Sequence, residues 1–187
     1  MPRVNLLGLS GSLREGSYST AVLHAVAERL DHGAELRVHP LGDVPLYNQD
    51  LDTAEPLPPV AALREAIAAA DGLVIVTPEY NYGMPGMLKN ALDWASRPYG
   101  AAPLAGKPVV TMATSPAFTG GVRALAQLHE TLLATQSLLV PRPQTVIGQV
   151  HNKFEDGRLI DDAALDFALG AIADLRTFVD RPTRLAA

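Results

Sequence analysis

The chain has no cysteine among its 187 residues. That excludes disulfides, thiolate metal sites and every cysteine-nucleophile mechanism together. Positive charge is also scarce, with Lys and Arg numbering 15 against 20 Asp and Glu and no Lys/Arg-rich run anywhere. A nucleic-acid partner, held by phosphate neutralisation, is not expected. The N-terminal Met1-Pro-Arg-Val-Asn-Leu-Leu-Gly-Leu-Ser10 has one basic residue and an apolar stretch too short for a signal-peptide core or a spanning helix. The expectation is a soluble, unprocessed protein with no membrane partner, and a disulfide-free globular chain of this kind suits the cytoplasm. The five histidines, His24, His32, His39, His129 and His151, show no ligand spacing, so no metal site is expected.

What is present is a strong alternation of element types. The apolar runs at residues 4–9, 73–77 and 109–113 lack the polar alternation of half-exposed strands and suit strands covered on both faces. Helical spacing separates them: Val22, Ala25, Val26 and Leu30, then Val60, Leu63 and Ile67, and near the end Leu165, Ala168, Ile172, Leu175 and Val179. Residues 34–39 alternate as a less central strand would, and a weak last strand is expected at residues 137–140 or 145–150. The pattern predicts an α/β domain with a parallel sheet, right-handed crossovers and helices on both faces. The length fits one domain over residues 1–187. The proline-punctuated connection at residues 40–59 reads as an ordered surface loop. Asp161 and Asp162 precede the last helix, where they favour its dipole and can cap it.

Two loops carry the chemistry. After the first strand comes Ser10-Gly-Ser-Leu-Arg-Glu-Gly-Ser-Tyr-Ser-Thr20, leading straight into a helix. The hydroxyls of Ser10, Ser12, Ser17, Ser19 and Thr20, the flexible Gly11 and Gly16, the forked donor of Arg14 and a helix N-terminus make an anion site. No lysine follows the second glycine as a nucleotide-triphosphate loop requires, and the dinucleotide G-x-G-x-x-G pattern is absent. A terminal monophosphate fits better. The second loop, Pro78-Glu-Tyr-Asn-Tyr-Gly83, ends a central strand and closes with Pro85-Gly86 at the next helix, where an open α/β sheet holds a flat ligand. A phosphate at one loop and a flat group at the other describe flavin mononucleotide (FMN). Lys89 and Asn90 are helical and read as surface or interface residues.

These motifs, with Leu88-Lys-Asn-Ala-Leu-Asp-Trp94 and Leu104-Ala-Gly-Lys-Pro-Val109, make the sequence resemble the NADPH-dependent FMN reductases, flavodoxin-like quinone and chromate reductases, over roughly residues 4–160. The resemblance implies a five-stranded, doubly wound sheet of order 2-1-3-4-5. It implies that Ser12, Arg14, Ser17 and a helix start at Ser19 and Thr20 hold the FMN phosphate. It further implies that Pro78, Glu79, Tyr80, Asn81 and Tyr82 wrap the isoalloxazine, and that Ser115, Gly120 and Gly121 form a third flavin-facing loop. The family usually has Asn where this chain has Ser19. The implied activity is hydride transfer from NADPH or NADH through FMN to a small acceptor such as a quinone, free flavin, azo compound or metal oxyanion such as chromate, in a homodimer or homotetramer. No catalytic side chain is required, because the flavin carries the hydride. A non-catalytic electron carrier on the same fold, or a module for another phosphorylated ligand, stays open at this point.

Overall fold

The computed structural model describes residues 3–180. Strands β1 (Val4–Ser10), β2 (Ala34–His39), β3 (Gly72–Pro78) and β4 (Pro108–Thr114) alternate with helices α1 (Tyr18–Arg29), α2 (Pro58–Ala69) and α3 (Gly86–Ala95). Then come α4 (Val122–Ala134), β5 (Leu138–Leu139), β6 (Thr145–Ile147), a small antiparallel hairpin of β7 (Phe154–Glu155) and β8 (Arg158–Leu159), and α5 (Asp162–Val179). The main sheet runs β2-β1-β3-β4-β5, with β6 also on β4, and every pairing in it is parallel. This is the expected flavodoxin-like order.

The fifth strand was expected at one of two places and occupies both. β5 and β6 each pair with β4, at Pro108 and Val109 and then at Met112 to Thr114. Between them lie Pro141-Arg-Pro143-Gln144, where two prolines offer no ladder donor, and the register against β4 shifts by three residues, from Pro108 opposite Leu138 to Met112 opposite Thr145.

Alternate residues of the central strands feed opposite layers. Val74, Val76, Val110 and Met112 pack with Val22, Val26, Leu165, Ala168 and Ile172 of α1 and α5. Leu73, Ile75, Val109 and Ala113 pack with Leu63, Leu88, Leu92, Leu125 and Leu128 of α2, α3 and α4. That period of two, with both faces apolar, is why the strands read as unbroken hydrophobic runs. Asp161 caps α5 as expected, accepting from Ala164 N at 2.7 Å and from Lys153 Nζ at 2.7 Å. Among the described residues, no helix is long and apolar enough to cross a membrane.

The connection at residues 40–57 is ordered by side chains of the helices beneath it. The Trp94 and Asn90 side chains both donate to Pro45 O, at 2.8 and 2.9 Å, and Tyr47 N donates to Asn90 Oδ1 at 2.6 Å. Asn90 is therefore a structural tie rather than a loose surface group.

A half-buried histidine gives the fold a pH dependence. His129 of α4 shares a 2.7 Å hydrogen bond with Thr111 Oγ1 of β4, and burial pushes its pKa below the ordinary value, as it does for His39. The unfolded chain then binds protons that the folded one does not, so stability falls as pH drops through about 6.5, by at most about 1.4 kcal/mol per pH unit for each such group. Urea titrations between pH 7.5 and 5.5 should show that slope, and His129→Gln should flatten it. An unchanged slope in the variant would mean that His129 protonates in place.

Candidate functional site

Three loops leave the carboxyl ends of β1, β3 and β4 side by side. The strand order reverses at β1, because β2 lies on one side of it and β3 on the other, and loops that diverge there open a crevice. The first loop turns sharply across the end of β3. Gly11 N donates to Val76 O at 2.8 Å, and a Cβ on Gly11 would lie 2.7 Å from Thr77 Oγ1 and 3.1 Å from Thr77 Cα, so only glycine fits.

The hydroxyls of this loop largely build the loop itself. Ser10 Oγ and Thr20 Oγ1 share a hydrogen bond of 2.7 Å, and Ser10 Oγ also accepts from Ser12 N at 3.3 Å. Ser17 is the N-cap of α1, its side chain accepting from Thr20 N at 3.2 Å. The helix thus begins at Tyr18, one residue before the expected start, and Ser19 and Thr20 lie inside its first turn. Ser19 is buried and its hydroxyl meets Thr114 Oγ1 at 2.8 Å, which ties α1 to the end of β4. What the helix start offers an anion is therefore backbone: the first N–H groups of a helix have no partner in it, and the dipole favours negative charge there. Arg14 stands beside them, its Nη2 donating to Gly16 O at 2.6 Å and its guanidinium 5.3 Å from the centre of the Tyr18 ring.

The second loop is a tight turn. Tyr80 and Gly83 exchange both backbone hydrogen bonds, at 3.0 and 3.1 Å, and the two residues between them have positive φ, 50° at Asn81 and 67° at Tyr82. Tyr80 and Tyr82 are exposed. Glu79, expected among the residues that wrap the flavin, turns its carboxylate the other way: Oε2 accepts from Arg123 N at 2.9 Å and Ala124 N at 3.1 Å, capping α4. Only its backbone remains to face a ligand.

The third loop begins at Ser115, whose N–H donates to Ile147 O at 3.1 Å and whose Oγ accepts from Ala117 N at 3.1 Å. It closes through Gly120 and Gly121, with φ of 68° and 94°. A Cβ on Gly121 would sit 3.0 Å from Ala113 Cβ, so glycine lets the start of α4 press against β4 and Glu79. Phe118, between Ser115 and Gly120, is 88% exposed.

A cleft of about 180 Å³ joins the three loops, lined by Ser12, Arg14, Ser17, Tyr18, Ser19, Pro78, Tyr80, Thr114 and Pro116. Ser10 and Thr20 stand behind its wall, while Glu79, Asn81, Tyr82, Ser115, Gly120 and Gly121 belong to the surrounding loops and not to the lining. Tyr18, Thr114 and Pro116 were not singled out from the sequence. Thr114 carried one available signal, as the last residue of a buried strand pointing at the same edge. A larger hollow of about 420 Å³ shares Ser17 and Tyr18 with the cleft but is walled by the side of α1 and the β7–β8 hairpin rather than by strand ends.

A helix start suited to an anion, beside an aromatic-flanked turn at the carboxyl edge of a parallel sheet of this order, is the arrangement of a flavodoxin-like protein. Comparison with known proteins carries this to a family. The profile of the NADPH-dependent FMN reductases matches residues 4–152. An NAD(P)H-dependent FMN reductase of Pseudomonas aeruginosa is 38% identical over 179 residues, covering 95% of this chain and 96% of that one. A quinone reductase of Escherichia coli is 38% identical over 183 residues, covering 96% and 97%. Among solved structures, the flavoenzyme NAD(P)H:acceptor oxidoreductase FerB of Paracoccus denitrificans superposes with a TM-score of 0.82 at 32% identity, covering 92% of this chain and 96% of that one. The chain belongs to the NADPH-dependent FMN reductase family.

Proposed function

We propose that this chain, as one FMN-binding domain over residues 1–187, is an NAD(P)H-dependent oxidoreductase that reduces quinones through FMN held at the three-loop cleft. The observation that carries the reading is the meeting of the α1 N-terminus and the residue 80–83 turn on one cleft at the carboxyl edge of the sheet. FMN held there would supply the hydride chemistry between nicotinamide and quinone. The protein's part is binding and orientation. Ser12, Arg14, Ser17 and the backbone at Tyr18 and Ser19 take the phosphate end, with Ser10, Ser19 and Thr20 shaping that loop from behind. Pro78, Tyr80, Asn81, Tyr82 and the Glu79 backbone flank the ring system, and Ser115, Gly120 and Gly121 shape its other side.

Donor and acceptor share one face of the flavin, since no separate nicotinamide fingerprint exists in the chain. They must then take turns, and steady-state data should give the parallel double-reciprocal lines of a ping-pong scheme. Intersecting lines with a trapped ternary complex would require a second pocket. The test of the whole reading is direct: protein loaded with FMN should bleach on adding NADPH or NADH under nitrogen and recover its colour with a quinone. Inertness to both nicotinamides would leave an electron carrier instead, and failure of the apoprotein to take up FMN would leave another phosphorylated ligand. We extend the reading to azo compounds and chromate as further acceptors, to a homodimer or homotetramer, and to a cytoplasmic setting.

A further inference from the structure

The turn at residues 80–83 is gripped at its entry, tip and exit by the first two turns of α4. At the entry, Glu79 Oε2 accepts from Arg123 N and Ala124 N. At the tip, the Arg123 guanidinium lies 4.0 Å from the centre of the Tyr82 ring. At the exit, Met84 N donates to Gln127 Oε1 at 2.7 Å. Between these grips Asn81 and Tyr82 both adopt the left-handed region, with φ of 50° and 67°, the form of a type I′ turn. Glycine is the favoured second central residue of such a turn, and a side chain as large as tyrosine is strained there. Strain of this kind persists only where the surroundings over-determine it, and it gathers at functional sites. Here the surroundings are α4.

In a type I′ turn the N–H groups of the two central residues face outward, and among the described residues neither Asn81 nor Tyr82 N–H has a partner within the chain. We propose that Gln127, which belongs to none of the sequence motifs, is a positioning residue for the flavin: with Glu79 and Arg123 it holds the strained turn so that the Asn81 and Tyr82 N–H groups are fixed donors to the FMN ring system. This deepens the FMN reading and rests on it. Reduction adds negative charge to the ring, and donors held in place favour the charged form over the neutral one. Gln127 thereby sets how much more tightly reduced FMN is held than oxidised FMN.

The experiment uses the whole chain, stripped of flavin and titrated with FMN, with the two-electron midpoint potential of the bound cofactor read against reference dyes. Gln127→Met keeps the length and removes the acceptor, and since Gln127 is exposed on α4 the variant should fold. Its ratio of reduced to oxidised FMN affinity should fall three- to tenfold, which is about 15–30 mV in the midpoint. Tyr82→Gly supplies a second variant, because an Asn-Gly pair forms this turn unaided. In that background Gln127→Met should move the ratio by less than twofold, a non-additivity expected only if both residues act through the same turn. An unchanged midpoint in Gln127→Met, or weaker FMN binding with no change in the ratio, would overturn the positioning role. Wild-type chain that takes up no FMN would instead overturn the cofactor reading beneath it.

Discussion

Asp52→Ala is expected to lower the stability of the chain by about 2 kcal/mol, as a fall in urea midpoint without a change in slope. The Asp52 side chain is only 5% exposed, and both carboxylate oxygens are engaged: Oδ1 accepts from Arg64 Nη2 at 2.7 Å and Oδ2 from Arg97 Nε at 2.8 Å. Removing it leaves two guanidinium groups facing an empty space. Breaking a fully buried pair costs about 3–5 kcal/mol, but the partly exposed Arg97 can turn to water, which reduces the expected loss. Burial alone would raise the Asp52 pKa, yet the hydrogen bonds from Arg97 and Arg64 outweigh it and hold the carboxyl below its ordinary value. Its contribution is therefore complete above the ordinary carboxylate range and is lost as pH falls through that range and below it. The consequence reaches the site, because this triad and the Trp94 and Asn90 bonds to Pro45 fasten the residue 40–57 connection onto α3, whose N-terminus follows the Tyr80–Gly83 turn directly. A loss well under 1 kcal/mol would mean that water already screens the triad.

The parts of the fold that were legible in the sequence are those whose signal is local. β1, β3 and β4 are covered on both faces, so burial alone writes them as continuous apolar runs, and the intervening helices show their spacing plainly. The division of the fifth strand was less legible, because two- and three-residue strands carry no periodicity and the prolines at 141 and 143 are only a reason to doubt continuity. The β7–β8 hairpin went unread although Asp156-Gly157, with φ of 47° and 76°, is a strong turn signal between its strands. In the site, the loops could be located from composition, but the direction of each side chain could not. Ser19 and Glu79 sit in the motif and yet bond to Thr114 and to the start of α4, and those partners are 95 and at least 44 residues away in the chain. Gln127 and Arg123 are invisible for the same reason: ordinary residues of an amphipathic helix, they matter only because the fold lays α4 against the turn.

Arg14→Ala should weaken FMN binding roughly ten- to hundredfold, the equivalent of about 1.5–3 kcal/mol for one charge-assisted hydrogen bond. With the hydroxyls of Ser10, Ser17, Ser19 and Thr20 engaged in the loop, Arg14 is the one full positive charge among the residues that line the cleft. Its bond to Gly16 O and its place over Tyr18 restrain the side chain before any ligand arrives, so little ordering remains to oppose binding. The same contacts raise a rival account, in which the substitution merely loosens the loop. Riboflavin, which has the ring system but no phosphate, separates the two. If Arg14 meets the phosphate, the variant loses affinity for FMN and keeps its affinity for riboflavin, so the preference between them narrows by the same ten- to hundredfold. If Arg14 only braces the loop, both ligands weaken together, and Arg14→Lys, which keeps the charge and loses the fork, should be no better than alanine. An unchanged FMN titration in Arg14→Ala would remove the residue from the site and leave the phosphate to the helix start alone.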